Sequence, residues 1–267
     1  IYAFGGMCLI DSIEEIAYLN DICDRLGMDT ITAGNLCAFT IEAAKQGRID
    51  YKIDYGDVDA IADLLHKIAA RDDIGEVLAG GIKAAAEQWQ MEDQAVHVKG
   101  LEPAGYDPRS LKGMGLSYAT SDRGACHLRA TFYKPELSGV IAPEQIEGKA
   151  ELFLEFEDRL AIFDTLILCR FYRDFYLWDK LGDIIHLATG IETSETALRE
   201  KAKAVATLIR RFNLREGMTL EDERLPKALH KKLEDSGKVI TEEELETMLK
   251  EYYQLHGWDE TMMPPAS

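Results

Sequence analysis

Three stretches of the chain hold residue types that could do chemistry at a defined spacing. Asp24-Arg25-Leu26-Gly27-Met28-Asp29 sets two carboxylates on either side of a glycine. Such a turn at a helix end aims side-chain oxygens and unpaired backbone groups at whatever lies beyond the terminus. Asp164-Thr165-Leu166-Ile167-Leu168-Cys169 repeats the spacing with a thiol in the last place. Ser121-Asp122-Arg123-Gly124-Ala125-Cys126-His127-Leu128-Arg129-Ala130 gathers an imidazole and two guanidinium groups. Two arginines beside a histidine suit an anionic ligand with an acid-base group at its edge. Each stretch also has a plain structural explanation: most D-x-x-G sequences are helix C-caps, a lone cysteine is most often a small buried hydrophobe, and a histidine often caps a turn.

Helices must position these groups. Ser12 followed by Glu15 reads as a capping box, with Ile13, Ile16, Leu19, Ile22, Cys23 and Leu26 on one apolar face and Gly27 at the stop. Further helices are expected at about 35–47, 57–70, 74–89, 116–121, 143–168, 171–181, 194–212 and 242–255. Strand signals are confined to short stretches such as Thr30 to Ala33, so the fold class is mainly α. Between about His97 and Tyr118, Gly100, Pro103, Gly105, Pro108, Gly113 and Gly115 break any regular period. A domain boundary is placed there, giving domains 1–97 and 98–267.

Composition narrows the partners. A formal net charge of -18 argues against nucleic acid, which needs clustered Lys and Arg. No apolar run approaches the ~18 residues of a membrane-spanning helix, so no membrane partner is expected. The opening Ile1-Tyr2-Ala3-Phe4-Gly5-Gly6 lacks the basic flank and cleavage site of a signal peptide. Cys8, Cys23, Cys37, Cys126 and Cys169 are odd in number and widely spaced, which supports neither a disulfide framework nor a self-contained zinc site. Reduced thiols in a cytoplasmic protein are expected. No phosphate-cradling glycine loop or nucleophile elbow is present.

Taken together the stretches resemble the aldehyde:ferredoxin oxidoreductase family, whose two D-x-x-G-L-(C or D) motifs bind the pterins of a bis-pterin tungsten or molybdenum cofactor. Asp24, Gly27 and Asp29 match the first, with Met28 where Leu is usual; Asp164, Leu168 and Cys169 match the second, with Ile167 where the family has Gly. The runs 99–109, 112–116 and 120–127 look like the family's longest signature, and Arg211 to Gly217 and Gly257 to Glu260 look like later landmarks. The resemblance implies two helical domains of this type, the second and third of the family, with the amino-terminal β-rich cofactor domain not represented.

The resemblance also implies roles. Asp24, Gly27, Asp29, Asp164 and Leu168 would contact the pterins, and Arg129 the pterin or its phosphate. His127, with a reference pKa near ~6.5, would exchange a proton with the substrate. Cys169 would be one thiolate of a 4Fe-4S cluster whose other three ligands lie outside this chain. The ends of both motifs would meet one cleft. The implied reaction is oxidation of an aldehyde to a carboxylate with electrons passed to ferredoxin or a similar acceptor. The implied partners are the amino-terminal part of the enzyme and, as an option, a second copy in a homodimer. The family's Glu-x-x-His metal motif is not matched at Glu14 or Glu15. The isolated chain is expected to be inactive. Two other readings stay open: a non-catalytic helical interaction module, and a relative with different chemistry such as aromatic thioester reduction.

Overall fold

The computed structural model describes residues 1–265 and divides by internal contacts into two compact units. The first comprises residues 1–107 with 123–126 and 225–231; the second comprises, of the described residues, 108–122, 127–224 and 232–265. The described residues hold no β-strand, only an isolated bridge between Val98 and Leu101, so the class is mainly α.

The first unit opens with a wide helical turn, Tyr2–Gly6, followed by α1 (Ile13–Leu26), α2 (Thr30–Lys45), α3 (Val58–Ala70), α4 (Ile74–Leu78) and α5 (Gly81–Trp89). Each of the first three helices starts at a side-chain cap: Ser12 accepts from Glu15 N, Asp29 from Thr32 N, and Asp57 from Ala60 N. Such a cap contributes roughly 1 kcal/mol. Ile61, Leu64, Leu65 and Ile68 form the inward face of α3 and pack with Leu19, Cys23, Leu36 and Ile41. Full burial of each large apolar side chain contributes about 1.5–3 kcal/mol.

Sequence expectations fail here in three places. Thr30 to Ala33 is the first turn of α2 rather than a strand, because the Asp29 carboxylate satisfies the Thr32 amide and starts the helix early. Ile13 and Leu26 lie at the two ends of α1 and are exposed, while Ile16, Leu19, Ile22 and Cys23 are buried. The helix expected over 74–89 is two, interrupted at Ala79 and Gly80.

The second unit contains α6 (Lys112–Thr120), α7 (Tyr133–Leu137), α8 (Lys149–Thr165), α9 (Trp178–Thr189), α10 (Glu195–Arg215) and α11 (Glu242–His256), with a short 3-10 turn at Arg170–Tyr172. α8 is central and packs against α6, α10 and α11. α6 is buried along almost its whole length. Beneath it Lys149 Nζ meets the Glu136 carboxylate with neither side chain exposed, and donates to the carbonyls of Ala142 (3.2 Å) and Pro143 (3.0 Å). Glu136 accepts in turn from Gly113 N at 2.8 Å. These hydrogen bonds offset part of the cost of burying the ion pair, while Glu136 Oε2 stays buried without a partner. α8 begins six residues later than the 143–168 expectation, and the helix expected over 171–181 is the 3-10 turn followed by α9 from Trp178.

Candidate functional site

The two carboxylate-led motifs fold into the same local structure. At the end of α1 the Gly27 amide donates to Asp24 O (3.3 Å) and Met28 N to Cys23 O (2.9 Å). At the end of α8, Ile167 N donates to Asp164 O (3.1 Å) and Leu168 N to Phe163 O (2.9 Å). Both are Schellman closures, which satisfy the last helical carbonyls and need a left-handed residue at the turn. Gly27 has φ +70°, and Ile167, where that family has glycine, has φ +58°. The turn therefore survives the glycine-to-isoleucine departure, at the cost of placing a β-branched residue where its Cβ is crowded.

The agreement extends one residue further. Asp29 has φ -66°, ψ 124°, and Cys169 has φ -67°, ψ 123°. Both are extended and exposed, and each stands at the start of the next helical segment. Asp24 and Asp164 are likewise exposed, so both motifs present a carboxylate, an open turn and a second polar group to the surroundings. The sequence showed the shared spacing; the shared backbone is visible only in the fold.

In the second unit Arg129 gathers two of the singled-out stretches. Its Nε and Nη2 bind the Asp122 carboxylate bidentately at 2.6 and 3.1 Å, and its Nη1 reaches Asp164 Oδ2 at 3.0 Å. Arg170 also holds Asp164 with both Nε and Nη2, and it donates to Leu128 O. Asp122 was within the stretch read from sequence but had no role there; its signal is the pairing itself, which spacing alone does not reveal. His127 is half-buried, with its ring centroid 6.5 Å from that of Tyr133.

A cavity of about 270 Å³ opens beside this cluster. Asp122, Arg129 and Asp164 line one part; Glu157, Arg210 and Tyr252 line another, with Ala161, Val205 and Ile209 among the apolar walls. Glu157 accepts from the Tyr252 hydroxyl at 3.0 Å, and Arg210 is clamped to Glu223 at 2.5 and 2.9 Å. Polar groups at fixed points on an otherwise apolar wall are the usual make-up of a small-molecule site.

In the first unit the feature that sequence reasoning missed is Glu102. It is 2% exposed, and its Oε2 accepts from the Thr32 hydroxyl at 2.9 Å, tying the signature loop to the first turn of α2. Burial raises its carboxyl above the ordinary range. A cavity of about 350 Å³ in the same unit is lined by Tyr2, Thr30, Asn35 and Tyr106, among others. All five cysteines are free thiols; Cys8, Cys23, Cys37 and Cys126 are buried and Cys169 is exposed. Burial pushes the Cys8 thiol up to about 12, which suits a structural group and opposes thiolate chemistry there. Among the described residues no cluster of three or more His, Cys, Asp or Glu side chains is arranged to hold a metal ion, and no helix is long and apolar enough to cross a membrane.

A helical fold carrying two matching carboxylate-led turns, the second of them held by Arg129 and Arg170, defines a class that comparison with known proteins makes specific. The family described as aldehyde ferredoxin oxidoreductase, domains 2 and 3, matches residues 1–267. The chain belongs to this oxidoreductase family. It is 32% identical to the tungsten-containing aldehyde ferredoxin oxidoreductase of Thermococcus kodakarensis over 276 residues, and 30% identical to that of Pyrococcus furiosus over 273. Each match covers 97% of this chain and 45% of the relative, so the chain spans about half the length of those proteins. Among solved structures, the active-site complex BamBC of benzoyl coenzyme A reductase, with 1,5-dienoyl-CoA, aligns with a TM-score of 0.65 at 22% identity, covering 89% of this chain and 42% of that one. That likeness shows a shared fold.

Proposed function

We propose that this chain is the carboxy-terminal part of a bis-pterin tungsten or molybdenum oxidoreductase that converts aldehydes to carboxylic acids and passes electrons through a 4Fe-4S cluster to ferredoxin. The observation that carries the reading is the matched pair of Schellman turns at Gly27 and Ile167, each led by an exposed aspartate. The residues fit a pterin: Asp24 and Asp164 offer carboxylates that accept from ring amino groups, and the open turns let a flat ring approach the backbone at Gly27 and Leu168. Asp29 and Arg129 add a second acceptor and a guanidinium able to bind ring or phosphate oxygens. Arg129 and Arg170 both pair with Asp164, which fixes the carboxylate at the turn. Cys169 suits a single iron ligand, being exposed at the start of a new segment, and three more cysteines would come from outside this chain. When bound, the cofactor supplies the two-electron chemistry, while the protein supplies orientation, electrostatics and proton transfer.

His127 is the residue assigned to proton exchange with the substrate, since its reference pKa near ~6.5 suits either direction near neutral pH. Replacing His127 with Ala in the complete enzyme should lower turnover about 100-fold or more with cofactor content unchanged. Loss of the cofactor with no separate defect in turnover would give His127 a structural role instead. The substrate reading has two rivals within the family, aromatic thioester reduction and sulfonate chemistry. A Pyrococcus furiosus relative that is 27% identical is named as the WOR-like subunit of an aliphatic sulfonate oxidoreductase, so the same domains serve a different substrate there. Assaying the complete enzyme with aldehydes against sulfonates and aromatic thioesters separates these readings. The cytoplasm is the proposed location.

A further inference from the structure

Glu102 carries a cost that its place in the fold alone does not explain. Its side chain is buried, Oε2 accepts from the Thr32 hydroxyl at 2.9 Å, and Oε1 is buried without a partner. A buried oxygen with no donor costs stability, and a leucine would fill a similar volume without one. What the acid supplies, and leucine cannot, is an acceptor for Thr32.

Thr32 is the residue through which that acceptor acts. Its hydroxyl donates to Glu102, and its own amide donates to Asp29 Oδ1 at 2.8 Å. Ala33 N donates to the Asp29 carbonyl at 2.9 Å. Side chain and main chain therefore hold Asp29 to the first turn of α2, and Glu102 holds that turn from 70 residues further along the chain. All of these residues belong to the first unit. The cap occupies Oδ1, so the exposed Asp29 carboxylate keeps Oδ2 for a ligand. The second motif has no such tie. The residue three after Cys169 is Tyr172, whose amide meets the Cys169 carbonyl at 3.0 Å and whose side chain is exposed.

First helical turns fray readily, because their amides lack partners within the helix. A tie from a distant loop removes that freedom, and a group fixed before binding costs less to order when the ligand arrives. We propose that Glu102 is a positioning residue: through Thr32 it fixes the first turn of α2 and holds the Asp29 carboxylate ready for the pterin. The inference rests on the reading of Asp29 as a pterin contact. Glu102 acts through Thr32 and Asp29 and is not itself a ligand to the ring.

Two measurements test the tie and the pterin reading separately. Amide hydrogen exchange on the 267-residue chain follows the tie. Glu102→Leu should speed exchange over residues 30–33 about 5–10-fold, the size expected for one lost hydrogen bond, while residues 38–45 of the same helix keep the wild-type rate. Thr32→Val, which removes the donor and keeps the branched side chain, should do the same and carries the test where Glu102→Leu fails to fold. Glu102→Gln keeps an acceptor and Thr32→Ser keeps a donor, so both should stay within about twofold of wild type. Tungsten or molybdenum bound per complete enzyme after gel filtration follows the pterin reading. Asp29→Ala, Glu102→Leu and Thr32→Val should each lower it to about half or less, with Glu102→Gln near wild type. Unchanged exchange over 30–33 in Thr32→Val, or acceleration spread evenly to 38–45, overturns the tie. Metal content lowered by Asp29→Ala but not by Glu102→Leu or Thr32→Val overturns the positioning role alone. Content unchanged in all three removes the pterin reading of Asp29 and the proposal with it.

Discussion

Ile167 offers a sharp quantitative test, because its backbone conformation and its environment are both known. The residue has φ +58°, in the left-handed region, where a Cβ costs roughly 1–2 kcal/mol, and branching at Cβ adds to the crowding. Its side chain is 93% exposed in this chain, so replacing it removes almost no packing. Ile167→Gly relieves the strain but adds freedom to the unfolded chain, which offsets roughly 0.5–1 kcal/mol. The net expectation is a gain of about 0.5–1.5 kcal/mol, or about 1–4 °C in Tm for a body of this size. Gly27→Ile is the mirror experiment. Gly27 has φ +70° with no atom within 4 Å of an added Cβ, so any loss comes from the backbone alone and should be of similar size and opposite sign. Urea unfolding of both variants against wild type, with the denaturant slope checked for constancy, reads the two changes. If Ile167→Gly lowers stability, or Gly27→Ile leaves it unchanged, the two turns do not share the geometry that the functional reading depends on.

Two further outcomes follow from buried charge. Lys149→Met alone should cost about 3–5 kcal/mol, because it strands the Glu136 carboxylate with no exposure, whereas Lys149→Met combined with Glu136→Leu should recover at least half of that loss in chemical denaturation. Burial, with Glu157 nearby, raises Asp158 to about 7, above the ~3.9 of an unfolded carboxylate, so the folded state holds this proton more tightly. Its contribution therefore strengthens the fold as pH falls from about 7 towards ~4 and weakens it above. Asp158→Asn should raise stability at pH 8 by about 1–2 kcal/mol, discounted from the full shift because the group is half-buried, and leave stability at pH 4 unchanged. A pH-independent difference between the two proteins would place the effect in packing rather than in the proton.

The sequence alone determined the helical class, the capped start of α1 and the two motifs, because these depend on neighbours within a few positions. Apolar periodicity gave the inward Ile16, Leu19, Ile22 and Cys23 of α1, and Asp24, Gly27 and Asp164 could be found by spacing. Tertiary structure decided the rest. Whether Thr30 to Ala33 bends into a helix depended on one carboxylate competing with β-branched propensity, and the cap prevailed. Whether Ile167 could replace glycine depended on the closure at the end of α8, where the amides of Ile167 and Leu168 are held by Asp164 and Phe163. The Arg129 pairing with Asp122 and Asp164 and the contact of the buried Glu102 with Thr32 involve residues brought together by packing. A charge's partners and solvation are set by three-dimensional distance, and sequence spacing carries that distance only within a helix or a turn.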